Sequence, residues 1–495
     1  MTSVVLRRAR LAPQQPLRNV LISAGHITDV TALEGRTEVD EVVDLDGRLL
    51  LPGLWDRHVH FDQWAQVSSR LDLSRAATAA AAADLALAHV AEDDEGHDAP
   101  LVGYGFRDAL WPDVPHRDLL DAVSGDLPVV LISGDLHSAW LNSAALRRFG
   151  HGDHATGLLR EEAAMQVIGE AVRVADGVLD AWSRAAMQSA AARGVVGVVD
   201  MEKPWSLEAW RRRMTGGDRG LRVISSVWPE RLDDAIAQHL HTGTVINGTG
   251  GLLTVGPLKV IIDGSLNTRT AYCLDGYASS TDDITGAGVL LVPPDELAQL
   301  MLRAMQAGFE CAVHAIGDRA NTVALEAFAR TGARGSIEHA QLLDDTDLSR
   351  FAQLGVVASV QPEHALDDRD VADRYWAGRT GRAFPFRSLL DAGAVLNFGS
   401  DAPVAPLDPW LAIGAAVHRT RDERPSWHPE QEITIAEALA ASMSPVRRGS
   451  DLRVGDPADL IVLDGDPFTA EPGALRTMPV AATMLAGDWT HRTGI

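Results

Sequence analysis

The feature that most constrains the fold of this chain is a rhythm. Eight short apolar runs end in polar residues and are followed by helical stretches: Leu54–His60, Val195–Asp200, Val223–Trp228, Leu258–Asp263, Cys311–Ala315, Ser336–His339, Val356–Gln361 and Val395–Asp401. Continuous apolar strands alternating with helices imply a parallel sheet covered on both faces. Eight such units imply a closed (β/α)8 barrel of the TIM type. The gap between the first and second runs, at about residues 65–190, is too long for one crossover. It reads as an insertion after strand 1 with its own helices and at least two strands, Leu101–Phe106 and Val129–Ser133. Residues 1–52 and 452–495 are β-rich, with short runs at Val20–Ile22, Val39–Leu45, Arg48–Leu51 and Asp459–Leu463. The two ends are expected to pair as one small β-sandwich domain, leaving 53–451 to the barrel.

Composition narrows the function classes. Basic residues number 44 and acidic residues 68, a formal charge of −24, which disfavours nucleic acid and anionic membrane surfaces as partners. The longest Ala-rich stretch, Ala76 to Ala91, is interrupted by Asp84 and His89. It falls short of the roughly 18 uninterrupted apolar residues of a membrane helix and reads as an amphipathic helix. The charges at Arg7, Arg8 and Arg10 are not followed by an apolar stretch of signal-peptide length. Two cysteines, Cys273 and Cys311, cannot build a disulfide framework, so a reducing, cytoplasmic location is the expectation.

In a barrel of this kind chemistry gathers at the C-terminal ends of the strands. The first run ends in His58-Val59-His60, and i, i+2 side chains of a strand share a face, so both imidazoles can meet one ion. Lys259 lies in the fourth run, His314 in the fifth, His339 at the end of the sixth and Asp401 at the end of the eighth. Each alone has a plainer reading: a hydrogen-bonded core histidine, a snorkelling lysine, or a turn or cap aspartate. Together, imidazole and carboxylate donors at strand ends form a set suited to Zn²⁺ and similar first-row ions.

These residues carry a resemblance. Leu51-Pro-Gly-Leu-Trp-Asp-Arg-His-Val-His60 resembles the strand-1 signature of the amidohydrolase superfamily. Lys259-Val-Ile-Ile-Asp-Gly-Ser265 with Arg269-Thr-Ala271, Val313-His-Ala-Ile-Gly-Asp-Arg319, Ile337-Glu-His-Ala340 and Gly399-Ser-Asp-Ala-Pro403 resemble its YtcJ-like branch, which includes N-substituted formamide deformylases. Asp135-Leu-His137 and Pro457–Leu463 extend the likeness into the insertion and the C-terminal segment. The resemblance implies that His58 and His60 bind one metal, that a carbamylated Lys259 bridges two, that His314 and His339 bind the second, and that Asp401 contacts the first metal and the attacking water. If Lys259 stays unmodified it cannot ligate, having no lone pair, and a single-ion site remains open.

The expected reaction is hydrolysis of a carbon–nitrogen bond in a small linear amide, N-substituted formamides among the candidates, with Asp401 as general base and then general acid. Arg269 and Asp318, just past strand ends, and Trp64 and Trp228, near the expected pocket mouth, are candidate substrate contacts. Their plainer readings are a salt bridge for Arg269, a helix cap for Asp318, and packing for the tryptophans. Deamination or cyclic-amide hydrolysis on the same barrel is the alternative. Deaminating relatives carry a Glu three residues after the fifth-strand histidine, where this chain has Gly317, although Asp318 is one residue away. A non-catalytic barrel is the alternative of another class. The family likeness is compatible with a homodimer.

Overall fold

In the computed structural model the described residues are 3–31, 39–92, 100–108, 111–134, 136, 138–277, 286–444 and 451–495. Asp135 and His137 lie outside them. The chain divides into two compact units, one of residues 1–60 with 187–495 and the other of residues 61–186.

The first unit holds an eight-stranded parallel sheet whose strands are neighbours in chain order. We label them β1 (Leu54–Val59), β2 (Val195–Asp200), β3 (Arg222–Val227), β4 (Leu253–Ile261), β5 (Cys311–Ala315), β6 (Gly335–His339), β7 (Val357–Val360) and β8 (Leu396–Phe398). The chain is therefore the expected α/β barrel. The seam between β8 and β1 is closed by backbone bonds just beyond β8: Asp401 N–H donates to His58 O at 2.7 Å, and His60 N–H donates to Ala402 O at 2.9 Å. Strand interiors such as Val195–Asp200 are wholly buried, as a sheet covered on both faces requires.

Two strand boundaries differ from the sequence expectation by three residues or more. β4 begins at Leu253, not Leu258. Gly256-Pro257 sits in a bulge, where Ser225 pairs with Val255 but Val227 pairs with Leu258. The missing N–H of Pro257 and the close approach at Gly256 are tolerated there, so the strand runs through them. β8 ends at Phe398, so Asp401 lies in the turn beyond it, with φ of 57°.

The terminal segments form two four-stranded sheets. One is ordered His26–Thr31, Arg18–Ser23, Ser3–Ala9, Glu41–Asp44; the other Asp488–Arg492, Val480–Leu485, Leu460–Leu463, Leu49–Pro52. Both contribute to one core that includes Leu6, Val20, Ile22, Leu50, Leu460, Val462 and Met484, the β-sandwich expected from the two ends. Strand Ser3–Ala9 was not expected. Its Val4, Val5 and Leu6 are buried, but the exposed Arg7 and Arg8 break the alternation at a register shift between Leu6 and Ala9.

The second unit holds a five-stranded sheet ordered Leu158–Arg160, Ser138–Leu141, Val129–Ser133, Leu101–Phe106, Leu71–Asp72. Along Val129–Ser133, Val130 and Ile132 enter one core and Val129 and Leu131 the other. The period of two thus buries both faces of the sheet. Among the described residues no helix is long and apolar enough to cross a membrane.

Candidate metal centre

Strand β1 delivers the first pair of imidazoles through an irregular register. Val198 pairs with Asp56 and Asp200 with Val59, so β1 takes one more residue than β2 over this stretch. His58 is buried and His60, just past the strand, is partly buried. The Nε2 atoms of His58 and His60 lie 3.4 and 3.5 Å from Asp401 Oδ1. One donor atom from each of the three residues falls within 4.8 Å of the others, close enough for a shared ion.

The approach of β8 to β1 depends on Gly399. A Cβ at this position would lie 2.6 Å from both the Cβ and the backbone nitrogen of His58. Beneath the pair, the buried carboxylate of Asp56 accepts from the backbone N–H groups of His58 at 3.1 Å and Ser400 at 3.0 Å. The Asp56 carboxyl therefore ties β1 to the segment that presents Asp401, while burial pushes its pKa up to about 6.

The far nitrogen of His58 is also engaged. Nδ1 lies 2.7 Å from Glu338 Oε2, with both side chains buried. A carboxylate only accepts, so His58 donates from Nδ1 and keeps the Nε2 lone pair directed toward Asp401. Glu338 also accepts from the Ser336 hydroxyl. The next residue, His339, has φ of 74° and Ala340 has φ of 42°. This turn at the end of β6 brings the His339 ring to 5.1 Å from that of His58 and 4.4 Å from that of His314, centroid to centroid. Left-handed conformations at two successive non-glycine residues cost energy and persist where surrounding structure imposes them.

His314, on β5, points its Nε2 toward Asp263 Oδ1 and Gly264 O, each at 3.5 Å. Asp263 is buried just past β4 and accepts from the backbone N–H groups of Tyr272, Ile316 and Gly317 at 2.9 to 3.0 Å. Its burial raises its pKa to about 7. Lys259 is buried in the same region, and its Nζ has no hydrogen-bond partner among the described residues. Burial lowers the Lys259 pKa, while Glu338 and Asp401 pull it upward.

Burial, with the Lys259 charge next, pushes His60 and His314 down to about 3. His58 and His339 are also driven well below the usual range, chiefly by burial. Neutral imidazoles offer a lone pair, as metal ligands must. Nδ1 of His60 and of His339, like Lys259 Nζ, lacks a protein partner among the described residues. This set of neutral imidazoles and a carboxylate suits a first-row divalent ion.

The structure thus brings His58, His60, Lys259, His314, His339 and Asp401 into one cluster. The other candidates lie differently. Asp318 is the first residue of the helix Asp318–Thr331, with Gly317 at the cap position. Its buried carboxylate accepts from Leu274 N at 2.7 Å, Arg319 N at 3.0 Å and Arg382 Nη2 at 3.3 Å. Arg269 places its guanidinium 5.2 Å from the Tyr375 ring centroid. Trp228 is buried past the end of β3, donating from Nε1 to Glu202 O at 2.8 Å, with Lys203 over its ring. Trp64 belongs to the second unit, in helix Phe61–Ser68, edge-on to Phe61.

Sequence reasoning missed four groups: Asp56, Asp263, Glu338 and His364. Glu338 immediately precedes a ligand candidate at the end of a short strand, which is a readable signal. His364 follows the seventh run in Gln361-Pro-Glu-His364, the one late strand end to which no chemistry had been assigned. A donor atom of His364 lies within 4.8 Å of donor atoms of His339 and Asp401.

With this geometry in hand, likeness to known proteins is informative. The amidohydrolase family model matches residues 41–491. The chain is 27% identical to the putative amidohydrolase YtcJ of Bacillus subtilis, over 92% of this chain and 91% of that protein. It is 26% identical to the N-substituted formamide deformylase of Arthrobacter pascens, over 96% of this chain and 95% of that protein. The crystal structure of an uncharacterized metal-dependent hydrolase from Pyrococcus horikoshii superposes with a TM-score of 0.80 at 28% identity, covering 95% of this chain and 99% of that one.

Proposed function

Because the chain belongs to the amidohydrolase family, we propose that it hydrolyses a carbon–nitrogen bond in a small linear amide, with N-substituted formamides as the substrate class. The observation that carries this reading is the convergence of His58 Nε2 and His60 Nε2 on Asp401 Oδ1 at 3.4 and 3.5 Å. His58, His60 and Asp401 would hold one divalent ion, with Zn²⁺ the best match to the donors. His339, His314 and a carbamylated Lys259 would serve a second. Such ions lower the pKa of water from 15.7 toward about 7 and polarise a carbonyl oxygen.

The residues of the chain do the rest. Asp401 takes the proton of the attacking water on its carboxylate and delivers it to the leaving nitrogen, acting as base and then acid. Its position is fixed by the bond from its own N–H to His58 O. Glu338 holds the His58 ring in the tautomer and orientation that expose Nε2. Buried Asp56 and Asp263 each collect backbone N–H groups around the strand ends, so the donor atoms are positioned before substrate arrives. The substrate class follows the name of the Arthrobacter pascens relative, which shares nearly its whole length with this chain.

A specific observation weighs against deamination. At Gly317, where a shuttle glutamate would be needed, a Cβ would lie 2.0 Å from Tyr272 O. The nearby Asp318 carboxylate is held by Leu274, Arg319 and Arg382. The test is turnover of N-benzylformamide and the matched acetamide by zinc-loaded protein, read as free amine. Release of amine is the expected result; turnover confined to cyclic ureides, lactones or ring amidines would overturn the reading.

A further inference from the structure

We propose that His364 is a metal ligand, forming with His339 and Asp401 a second ion position, so that Asp401 serves both ions. The inference rests on the metal-dependent reading above and adds to it a ligand from the end of β7. Two groups of donor atoms gather within 4.8 Å among the described residues: His58, His60 and Asp401, and His339, His364 and Asp401. They share the Asp401 carboxylate, whose two oxygens carry about four lone-pair sites, enough to border both ions and still accept a proton. His314, proposed above for the second ion, has its ring 4.4 Å from that of His339, so His364 adds a ligand at that position and replaces none.

The placement of His364 is built, not incidental. Helix Pro362–Asp367 starts two residues after β7, with Pro362 in its first turn, where the fixed φ of proline suits a helix start. The following Glu363 is buried and accepts from Arg476 Nη1 and Nη2 at 2.9 and 2.8 Å and from Arg421 Nη1 at 3.1 Å. Asp367, at the other end of the helix, accepts from Arg421 at 2.5 Å. Two arginines from distant segments therefore clamp the short helix on both sides of His364. The residue itself is buried, and its ring lies nearly parallel to that of His339, 6.1 Å between centroids and 14° between planes. A ligand anchored this way has its geometry fixed by its surroundings before an ion binds.

The experiment uses the full chain loaded with Zn²⁺ and freed of excess. Bound zinc per chain and its rate of release to a competing chelator are measured for the wild type, His364→Asn, His364→Asp and His60→Asn, with melting temperature as the folding control. The inference predicts that His364→Asn loses one zinc or releases it at least tenfold faster, that His364→Asp, which restores a ligand oxygen, retains it, and that His60→Asn depletes the other ion. Wild-type retention and release in His364→Asn would overturn it. Should that variant fold poorly, a zinc-edge anomalous map of the zinc-loaded wild-type crystal decides: an ion about 2.0–2.1 Å from a His364 nitrogen supports the assignment, and ions seated with His364 beyond bonding distance refute it. A wild type that holds no zinc at all would fail at the metal-dependent reading itself and take this inference down with it.

Discussion

Nδ1 of His58 and Oε2 of Glu338 lie 2.7 Å apart with both side chains buried, although the residues stand 280 positions apart in the chain. The bond spans the barrel interior from β1 to β6 and links a ligand candidate of one strand end to the residue preceding His339 on another. Outer carboxylates that orient ligating histidines typically contribute 10–100-fold to metal affinity or activity. Glu338→Gln should therefore weaken zinc retention by about that factor, since a neutral amide orients the ring less strongly. Chelator competition on the purified variant measures this. Unchanged retention would mean that the bond serves packing only.

Asp401 carries the proton transfers proposed for the site. In Asp401→Asn the backbone bond to His58 O can persist, so the fold should survive while the base is lost. General acid–base groups contribute about 10²–10⁴-fold, and kcat on the best formamide substrate should fall by at least about 100-fold with little change in melting temperature. Retention of wild-type kcat would remove Asp401 from this role.

Much of this architecture was readable in the sequence because of how parallel strands are buried. A strand covered on both faces reads as a continuous apolar run, so all eight barrel strands left a trace, and chemistry at their ends could be sought directly. Legibility failed where local geometry departs from the pattern. Gly256-Pro257 hid the first half of β4, because a bulge absorbs residues that normally end a strand. Arg7 and Arg8 hid the first sandwich strand, where the register shifts. Glu338 and His364 were missed for another reason. Glu338 matters through its contact with His58, 280 positions away, and His364 is placed by the ion-paired helix Pro362–Asp367; neither has a periodicity.

Gly399 tests how tightly β8 must approach β1. Alanine there would drive its methyl group to 2.6 Å from the His58 Cβ and backbone nitrogen, so one strand must move. Overpacking of this kind costs about 1–3 kcal/mol. Gly399→Ala should lower the melting temperature and, by displacing His58 from Asp401, weaken zinc retention as well. A variant as stable and as zinc-retentive as the wild type would show that the seam is more yielding than this contact implies.

The pH dependence of stability can be probed away from the metal centre, at the helix Ile435–Ala441. Thr434 and Glu437 form a reciprocal capping box at its start, and Glu437 is also paired with Arg387. The Arg387 bond, ahead of the Thr434 contacts, pulls the Glu437 pKa from 4.5 down to about 2. A carboxyl depressed in the folded state binds protons more readily when unfolded. Its contribution is therefore fully present above about pH 4.5 and is lost as the pH falls toward about 2. The side chain is one-third exposed, so solvent screening keeps the ion pair to about 0.2–1 kcal/mol. Glu437→Gln should lower the melting temperature at pH 7, and its deficit relative to wild type should shrink steadily between about pH 4.5 and the acid limit of folding. Thermal melts of both proteins across that range measure the difference, and a deficit that grows on acidification would contradict the assigned pairing.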